Sequence, residues 1–454
     1  MSQNDTFFKG RLSKQNAEKF LTQLLTYIVD FTMIFVYNFV DLNFVTTKLK
    51  YREVDMSKGN LLFAQSGGPT AVINASAAGV ISRASESNAF DKILCAKFGM
   101  DGILKENFFD VTDMSREQLD LLSKTPASAF GSCRFKLPTQ EKDPVLYQKI
   151  RTIFEKYNIS CFVYNGGNDS MDTCNKVANY FKSVGFPCNV IGVPKTVDND
   201  LVGTHHCPGY GSAAKFVATS MTEIALDTAV YEKGRITVCE IMGRDAGWLT
   251  AASVIAKPDL IYLPEVTFDT AKFFEQAIEI YEKQGRCLVA LSEGIRDAKG
   301  NYIGAGGMKD SFNHTQLGGV ASYLADSLTQ KFGIKTRAIE FSLPTRAAGH
   351  LQSLADRQDA ILCGKCAVDF ALQGQTGVMV TLQEENNTTV CRSFDLNHIA
   401  NEVKKVPQHY IINDGSYISD EFLQYVLPLV QGEVVHTYKN GVPMYFDSAT
   451  LKKL

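Results

Sequence analysis

The sequence predicts an α/β chain built as two lobes, each a mainly parallel sheet with helices on both faces. Three observations predict it. From Asn60 onward, short apolar runs alternate with stretches of helical period, the pattern of parallel strands joined by crossover helices. Several of those runs end at a glycine- or proline-bearing loop that opens into a helix. At 454 residues and 45% hydrophobic content, the chain has enough length and apolar side chain to fill two such lobes.

The elements follow in chain order. Residues 1–57 stand apart from the rest. Their longest charge-free runs, such as Phe31 to Val40 between Asp30 and Asp41, have ten residues, about half of what crosses a bilayer. The stretch starts too late and lacks the small-residue cleavage site of a signal peptide. It reads as a helix packing on the body or on a partner subunit, and Met56 stands where an alternative start would fall. Strands are expected at Leu61–Gln65, Cys161–Tyr164, Val190–Val193, Ile236–Ile241, Leu260–Leu263, Cys287–Leu291 and Val378–Leu382. Helices are expected around Ala71–Ser85, Asp172–Val184, Ser212–Ala229, Ala271–Lys283 and Gly318–Lys331. The result is a pair of Rossmann-like lobes, with no solenoid repeat and no low-complexity tract.

Composition excludes some functions. Lys plus Arg (46) nearly balances Asp plus Glu (49), so there is no global basic field and nucleic acid is not an expected partner. Eleven cysteines are scattered singly through apolar runs, which is reduced-thiol usage and points to the cytoplasm. The one close pair, Cys363 and Cys366, has no second pair at zinc-site spacing and reads as buried structural thiols.

The chemistry concentrates in loops. Pro194 stops an apolar strand, and Lys195-Thr196-Val197-Asp198-Asn199-Asp200 then brings a cation, a hydroxyl and two carboxylates together. A carboxylate beside a lysine can stay ionised and take a proton from a substrate hydroxyl, while a second orients it or holds a metal. In Ser66-Gly67-Gly68-Pro69, a double glycine after a strand lets backbone amides approach an anion at a helix start. Gly166-Gly167-Asn168-Asp169-Ser170 also joins strand to helix, but Asp169 would repel a polyphosphate unless a divalent cation lay between. Arg134 and Lys136 sit in a small-residue loop, and Met242-Gly243-Arg244 offers a close approach and a forked donor. Further arginines stand at Arg235, Arg337 and Arg346. Taken singly, each loop is also explained as a tight turn, a helix cap or a solvated surface.

Together the loops resemble the phosphofructokinase family. Six motifs occur in the family's order between Asn60 and Val406: the Ser-Gly-Gly strand end, Gly-Ser-Cys-Arg at Arg134, Gly-Gly-Asn-Asp-Ser at Asp169, Pro-Lys-Thr-Val-Asp-Asn-Asp at Asp198, Met-Gly-Arg at Arg244, and Ser-Glu-Gly at Glu293. The first and third look most like the pyrophosphate-dependent branch. The resemblance implies the phosphofructokinase fold and reversible, Mg²⁺-dependent transfer of a phosphoryl group from pyrophosphate to fructose 6-phosphate in glycolysis. It implies Asp198 as the base for the 1-hydroxyl and Thr196 near the transferred group. Gly67 and Arg134 would serve the donor. Met242, Gly243, Arg244 and Glu293 would hold the sugar, and Arg235, Arg337 and Arg346 its 6-phosphate. In relatives the first two of those arginines often come from a neighbouring subunit, so a homodimer or homotetramer is implied.

The donor assignment rests on Asp169, where ATP-using relatives carry a glycine that leaves room for the α-phosphate; a carboxylate fills that space with the wrong charge. Lys195 adds a cation for the developing charge. Many relatives have Asp at Asn168, so Asp169 is the expected metal ligand, with Asn168 beside it. In Leu343-Pro344-Thr345-Arg346 the arginine persists, while the Leu343 contact to sugar is the weakest match. The organisation implied is an extension over 1–57, a donor-binding lobe over 58–208 completed by 347–410, and a sugar-phosphate lobe over 209–346 completed by 411–454. The rival readings are an ATP-dependent 6-phosphofructokinase and, from another class, a catalytically silent regulatory subunit.

Overall fold

The computed structural model describes residues 59–304, 318–386, 388–399 and 402–454, and the extension over 1–57 lies outside them. Its strands are β1 (Gly59–Gln65), β2 (Phe90–Ala96), β3 (Phe108–Asp110), β4 (Ile159–Gly166), β5 (Asn189–Pro194), β6 (Ile236–Ile241), β7 (Leu260–Tyr262), β8 (Cys287–Ser292), β9 (Thr336–Glu340), β10 (Val378–Glu385) and β11 (Thr388–Asp395). The helices that matter for the site are α1 (Ile73–Ser87), α2 (Pro144–Lys156), α3 (Asn168–Ser183), α4 (Tyr210–Thr228), α5 (Thr270–Gln284), α6 (Val320–Phe332) and α7 (Leu354–Leu372).

Two sheets organise the described residues. The larger runs β11-β10-β5-β4-β1-β2-β3 and ends at a short terminal strand, Lys452–Lys453. Its centre, β10-β5-β4-β1-β2, is parallel, and its outer pairs are antiparallel. The smaller, β7-β8-β6-β9, is parallel throughout.

The apolar runs are continuous because both sheet faces are covered. Along β1, Leu62 and Ala64 join one core while Leu61 and Phe63 join the other. β4 divides the same way, with Phe162 and Tyr164 on the first face and Cys161 and Val163 on the second. Helices α2 and α3 close the first face through Phe154, Met171 and Phe181, and α1 and α7 close the second through Val80, Ile81 and Val368. In the smaller sheet, Cys239 and Ile241 pack towards α4, whereas Val238 and Val289 pack towards α5 and α6.

Helix α7 carries the chain back from the smaller sheet to the larger. Its Asp356 accepts the backbone amides of Gly209 and Ser212, both at 2.8 Å, and so caps α4 across the molecule. One expectation needs correction. Residues 411–454 do not all lie with the smaller sheet, because Lys452 and Lys453 pair with Asp110 and Phe109 on the larger one.

Candidate active site

Three parallel strands deliver the first half of the site. The register aligns Gln65 with Asn165 and Gly166 with Pro194, so the loops after β1, β4 and β5 leave the sheet side by side. From β1 the chain turns to β2 on one side and returns as β4 on the other, which makes the β1/β4 edge a switch point where a crevice opens. Gly67 turns there with φ of 76°. Its amide donates to the Cys133 carbonyl at 3.0 Å, so it is not left pointing at an anion. What the glycine pair supplies is room. A Cβ on Gly67 would stand 3.2 Å from Lys195 Nζ, and one on Gly68 would stand 2.9 Å from an Arg346 guanidinium nitrogen.

The smaller sheet delivers the second half by the same logic. β6 ends at Ile241 opposite Ser292, the end of β8, which brings Met242-Gly243-Arg244 beside Glu293. The Gly243 amide donates to Glu293 Oε1 at 3.4 Å, and the Ser292 hydroxyl donates to the Gly243 carbonyl. Arg346 comes from the short helix Pro344–Ala347 that follows β9. The two halves face each other across a cavity of about 390 Å³. Gly67, Arg134, Asn168, Asp169, Lys195, Thr196, Asp198, Met242, Arg244, Glu293 and Arg346 all line it.

Burial sets the electrostatics. Lys195 is 4% exposed, donates from Nζ to the Gly68 carbonyl at 2.7 Å, and is pushed by burial down to about 8. Asp198 and Asp200 support its charge, and Arg346 and Arg134 oppose it. Asp198 is raised above the ordinary carboxylate range, first by burial and then by Glu293; Lys195, Arg244 and Arg346 pull the other way. Asp200 is raised by burial and by Asp198, and Glu293 is raised by burial. The Asp198 amide donates to Thr196 Oγ1 at 3.1 Å, which braces the turn. The result is a carboxylate poised to gain and lose a proton within a ring of cations.

A hard cation has oxygen donors here. Asp169 is exposed at the lip of the cavity, and Asn168 Oδ1 is buried without a partner while Asn168 Nδ2 donates to Asp200 Oδ2 at 2.9 Å. Among the described residues, no three His, Cys, Asp or Glu side chains converge on a metal position.

Of the other expected residues, Gly243 stands between the lining Met242 and Arg244 without lining the cavity itself, and three are elsewhere. Leu343 is 59% exposed and does not line the cavity, since it sits at the start of the short helix whose inner side carries Arg346. Arg235 precedes β6 and Arg244 follows it, so the six-residue strand separates them by about 20 Å. Arg337 pairs in register with Thr237, near the same far end. Arg235 and Arg337 share a second cavity of about 580 Å³ with Glu223 and Asp227. There Arg235 is ion-paired to Asp227, and its Nε is buried without a partner. The first cavity is also lined by Ser66 and Ser170, which belong to two of the motif loops, and by Val403, which no motif contains. Val403 lies some 200 positions along the chain from Asp200, so local sequence carries no signal for it.

Comparison with known proteins places the chain in a family. The family model "PFK: Phosphofructokinase" matches residues 60–371. The chain is 42% identical over 418 residues to the pyrophosphate–fructose 6-phosphate 1-phosphotransferase of Xanthomonas campestris, covering 88% of this chain and 99% of that one. It is 40% identical over 400 residues to the protein of the same name from Halomonas elongata, covering 86% and 96%. The crystal structure of a pyrophosphate-dependent phosphofructokinase from Nitrosospira multiformis superposes with a TM-score of 0.79 at 36% identity, covering 88% of this chain and 98% of that one.

Proposed function

The chain belongs to the phosphofructokinase family, and from that premise we propose that it transfers a phosphoryl group reversibly between pyrophosphate and the 1-hydroxyl of fructose 6-phosphate. One observation carries the reading: Asp198 shares a single cavity with Lys195, Arg134, Arg244 and Arg346, and the donor side of that cavity is rimmed by Asp169.

Asp198 takes the proton of the attacking hydroxyl and returns it in the reverse direction, a two-way role that suits a carboxyl group raised by burial. Lys195 and Arg134 neutralise the diphosphate and the charge that develops on the leaving phosphate. Met242, Gly243, Arg244 and Glu293 seat the sugar, and Arg346 meets its 6-phosphate. Asp169 and the unpartnered Asn168 Oδ1 would hold Mg²⁺, which supplies further neutralisation of the diphosphate. Asp169 also occupies the path of a nucleotide's α-phosphate, so the smallest phosphoanhydride is the donor.

Arg235 and Arg337 complete the phosphate pocket of a neighbouring copy in a homo-oligomer. Their distance from Arg244 within one chain supports this role. The eleven unpaired cysteines support a cytoplasmic protein, and no described helix is long and apolar enough to cross a membrane.

The test is a donor comparison on the purified chain with fructose 6-phosphate, with Mg²⁺ present and with it chelated. Turnover is expected with pyrophosphate and lost on chelation. A rate with ATP equal to that with pyrophosphate would overturn the donor assignment.

A further inference from the structure

The loop bearing the acidic pair is held from behind by two residues that line no part of the cavity. Asn199 separates Asp198 from Asp200 and turns with φ of 57°. Both ends of its side chain are engaged: Oδ1 accepts the Cys207 amide at 2.9 Å, and Nδ2 donates to Tyr425 Oη at 2.6 Å. The Tyr425 hydroxyl donates onward to the His205 carbonyl at 2.8 Å, and the same carbonyl accepts Lys404 Nζ at 2.9 Å. Lys404 Nζ also donates to the Thr204 carbonyl at 3.1 Å, while the Lys404 amide donates to the Asp200 carbonyl at 2.8 Å. Tyr425 and Lys404 therefore fasten the catalytic loop to the turn at 204–207.

The clasp continues into the sugar half. Trp248 opens the short helix that follows Met242-Gly243-Arg244. Its indole N–H donates to the Lys404 carbonyl at 2.8 Å, its ring lies 4.9 Å from Lys404 Nζ, and it packs 5.1 Å from the Tyr425 ring. The parts of the site that rise from two different sheets thus meet on one phenol and one lysine.

We infer that Tyr425 and Lys404 are positioning residues that set Asp198 against the sugar turn, an inference that rests on the reaction proposed above. Asparagine tolerates a left-handed turn, but other conformations are open to it once its side chain is released. Without the phenol hydroxyl, Asn199 Nδ2 and one bond to His205 are left unmade, and the loop is free to shift. A displacement of about 1 Å at a catalytic group costs up to about 100-fold in rate. Neither residue lines the cavity, so the loss falls on kcat and leaves KM in place.

The experiment compares Tyr425→Phe, Lys404→Met and Lys404→Arg with the unmodified chain, on whichever donor the unmodified chain turns over. Tyr425→Phe and Lys404→Met are expected to lose about tenfold or more in kcat, with KM for both substrates within about twofold. Lys404→Arg keeps a donor for both carbonyls and is expected to recover most of the loss. Trp248 is the only tryptophan in the chain, so its emission is expected to shift in both damaged variants. If Tyr425→Phe does not fold, the two Lys404 variants decide alone. Folded variants with kcat within about twofold of the unmodified chain would overturn the inference, as would a rise in KM at constant kcat. An unmodified chain that used ATP would refute the donor assignment and leave this comparison standing.

Discussion

Two arginine-bearing cavities on one chain behave differently. The first, between the sheets, gathers Arg134, Arg244 and Arg346 with Lys195 around the Asp198 carboxylate. The second, at the far end of β6, gathers Arg235 and Arg337 with Glu223 and Asp227 and has no catalytic group. The first cavity has the charge balance of a reaction site, with cations enough to hold a phosphate and a carboxylate to move a proton. The second sets its arginines against acids of its own, with Arg235 ion-paired to Asp227. The surface around it is unfinished: β9 is the outer strand of its sheet and only partly covered, and Leu226 (71%), Val230 (63%) and Tyr231 (60%) are exposed nearby in sequence to Arg235. The difference teaches that the arginines of this chain fall into two groups, and it supports the proposal that the second group serves a neighbouring copy.

The sharpest way to break that division is at the first cavity. Asp198→Ala is expected to lower kcat by about 1,000-fold, within the usual range for a general base, with little change in KM. Steady-state rates on a purified, folded variant check it, and a loss under about tenfold would remove Asp198 from the role of base.

The second cavity comes next. Arg235→Ala is expected to raise KM for fructose 6-phosphate by about 10- to 100-fold, the worth of a charge-assisted contact to phosphate, while KM for pyrophosphate holds. Mixing this variant with Asp198→Ala sharpens the comparison further. If Arg235 serves a neighbour, a mixed dimer contains one intact site, and re-assembly restores about a quarter of the unmodified rate. No recovery after verified subunit exchange would put both arginines out of the reaction.

A smaller effect is expected from Asp169→Gly. Opening the lip of the donor half should raise the ratio of ATP to pyrophosphate turnover by about tenfold, and an unchanged ratio would show that the carboxylate excludes nothing.

The gentlest test is pH. Asp198 acts as base when deprotonated and its value is raised, so the forward rate falls as pH drops through a window above the ordinary carboxylate range. Lys195 acts when protonated and is lowered to about 8, so the rate also falls as pH rises past that value. The profile of kcat/KM is therefore a narrow bell, and a plateau from about pH 5 to about pH 9 would contradict both assignments.

Much of this was legible in the residues, for physical reasons. Strands β1, β4, β5, β6 and β8 are buried on both faces, so their apolar runs stand out. β7 and β10 were also legible as apolar runs, whereas β2, β3, β9 and β11 were hidden. β2 opens with exposed Asp91 and Lys92, and β9 and β11 are edge strands whose polar residues meet water. In the site, every loop that leaves the carboxyl end of a central strand was readable, because glycine and charge are concentrated there. Leu343 was misplaced because adjacency to Arg346 in sequence does not put both on one side of a short helix. The opposed positions of Arg235 and Arg244 follow from strand length alone, nine residues with a six-residue strand between. Tyr425 and Lys404 were invisible, since they reach Asn199 and Asp200 from more than 200 positions away.

The placement of Arg235 at the outer end of β6 has a consequence for physiology. If two of the three arginines that clamp the sugar's phosphate come from another copy, substrate affinity becomes a function of how much protein is present. Dilution would weaken the grip on fructose 6-phosphate while the grip on pyrophosphate persisted, and a cell would be able to throttle the step through abundance alone, with no effector molecule.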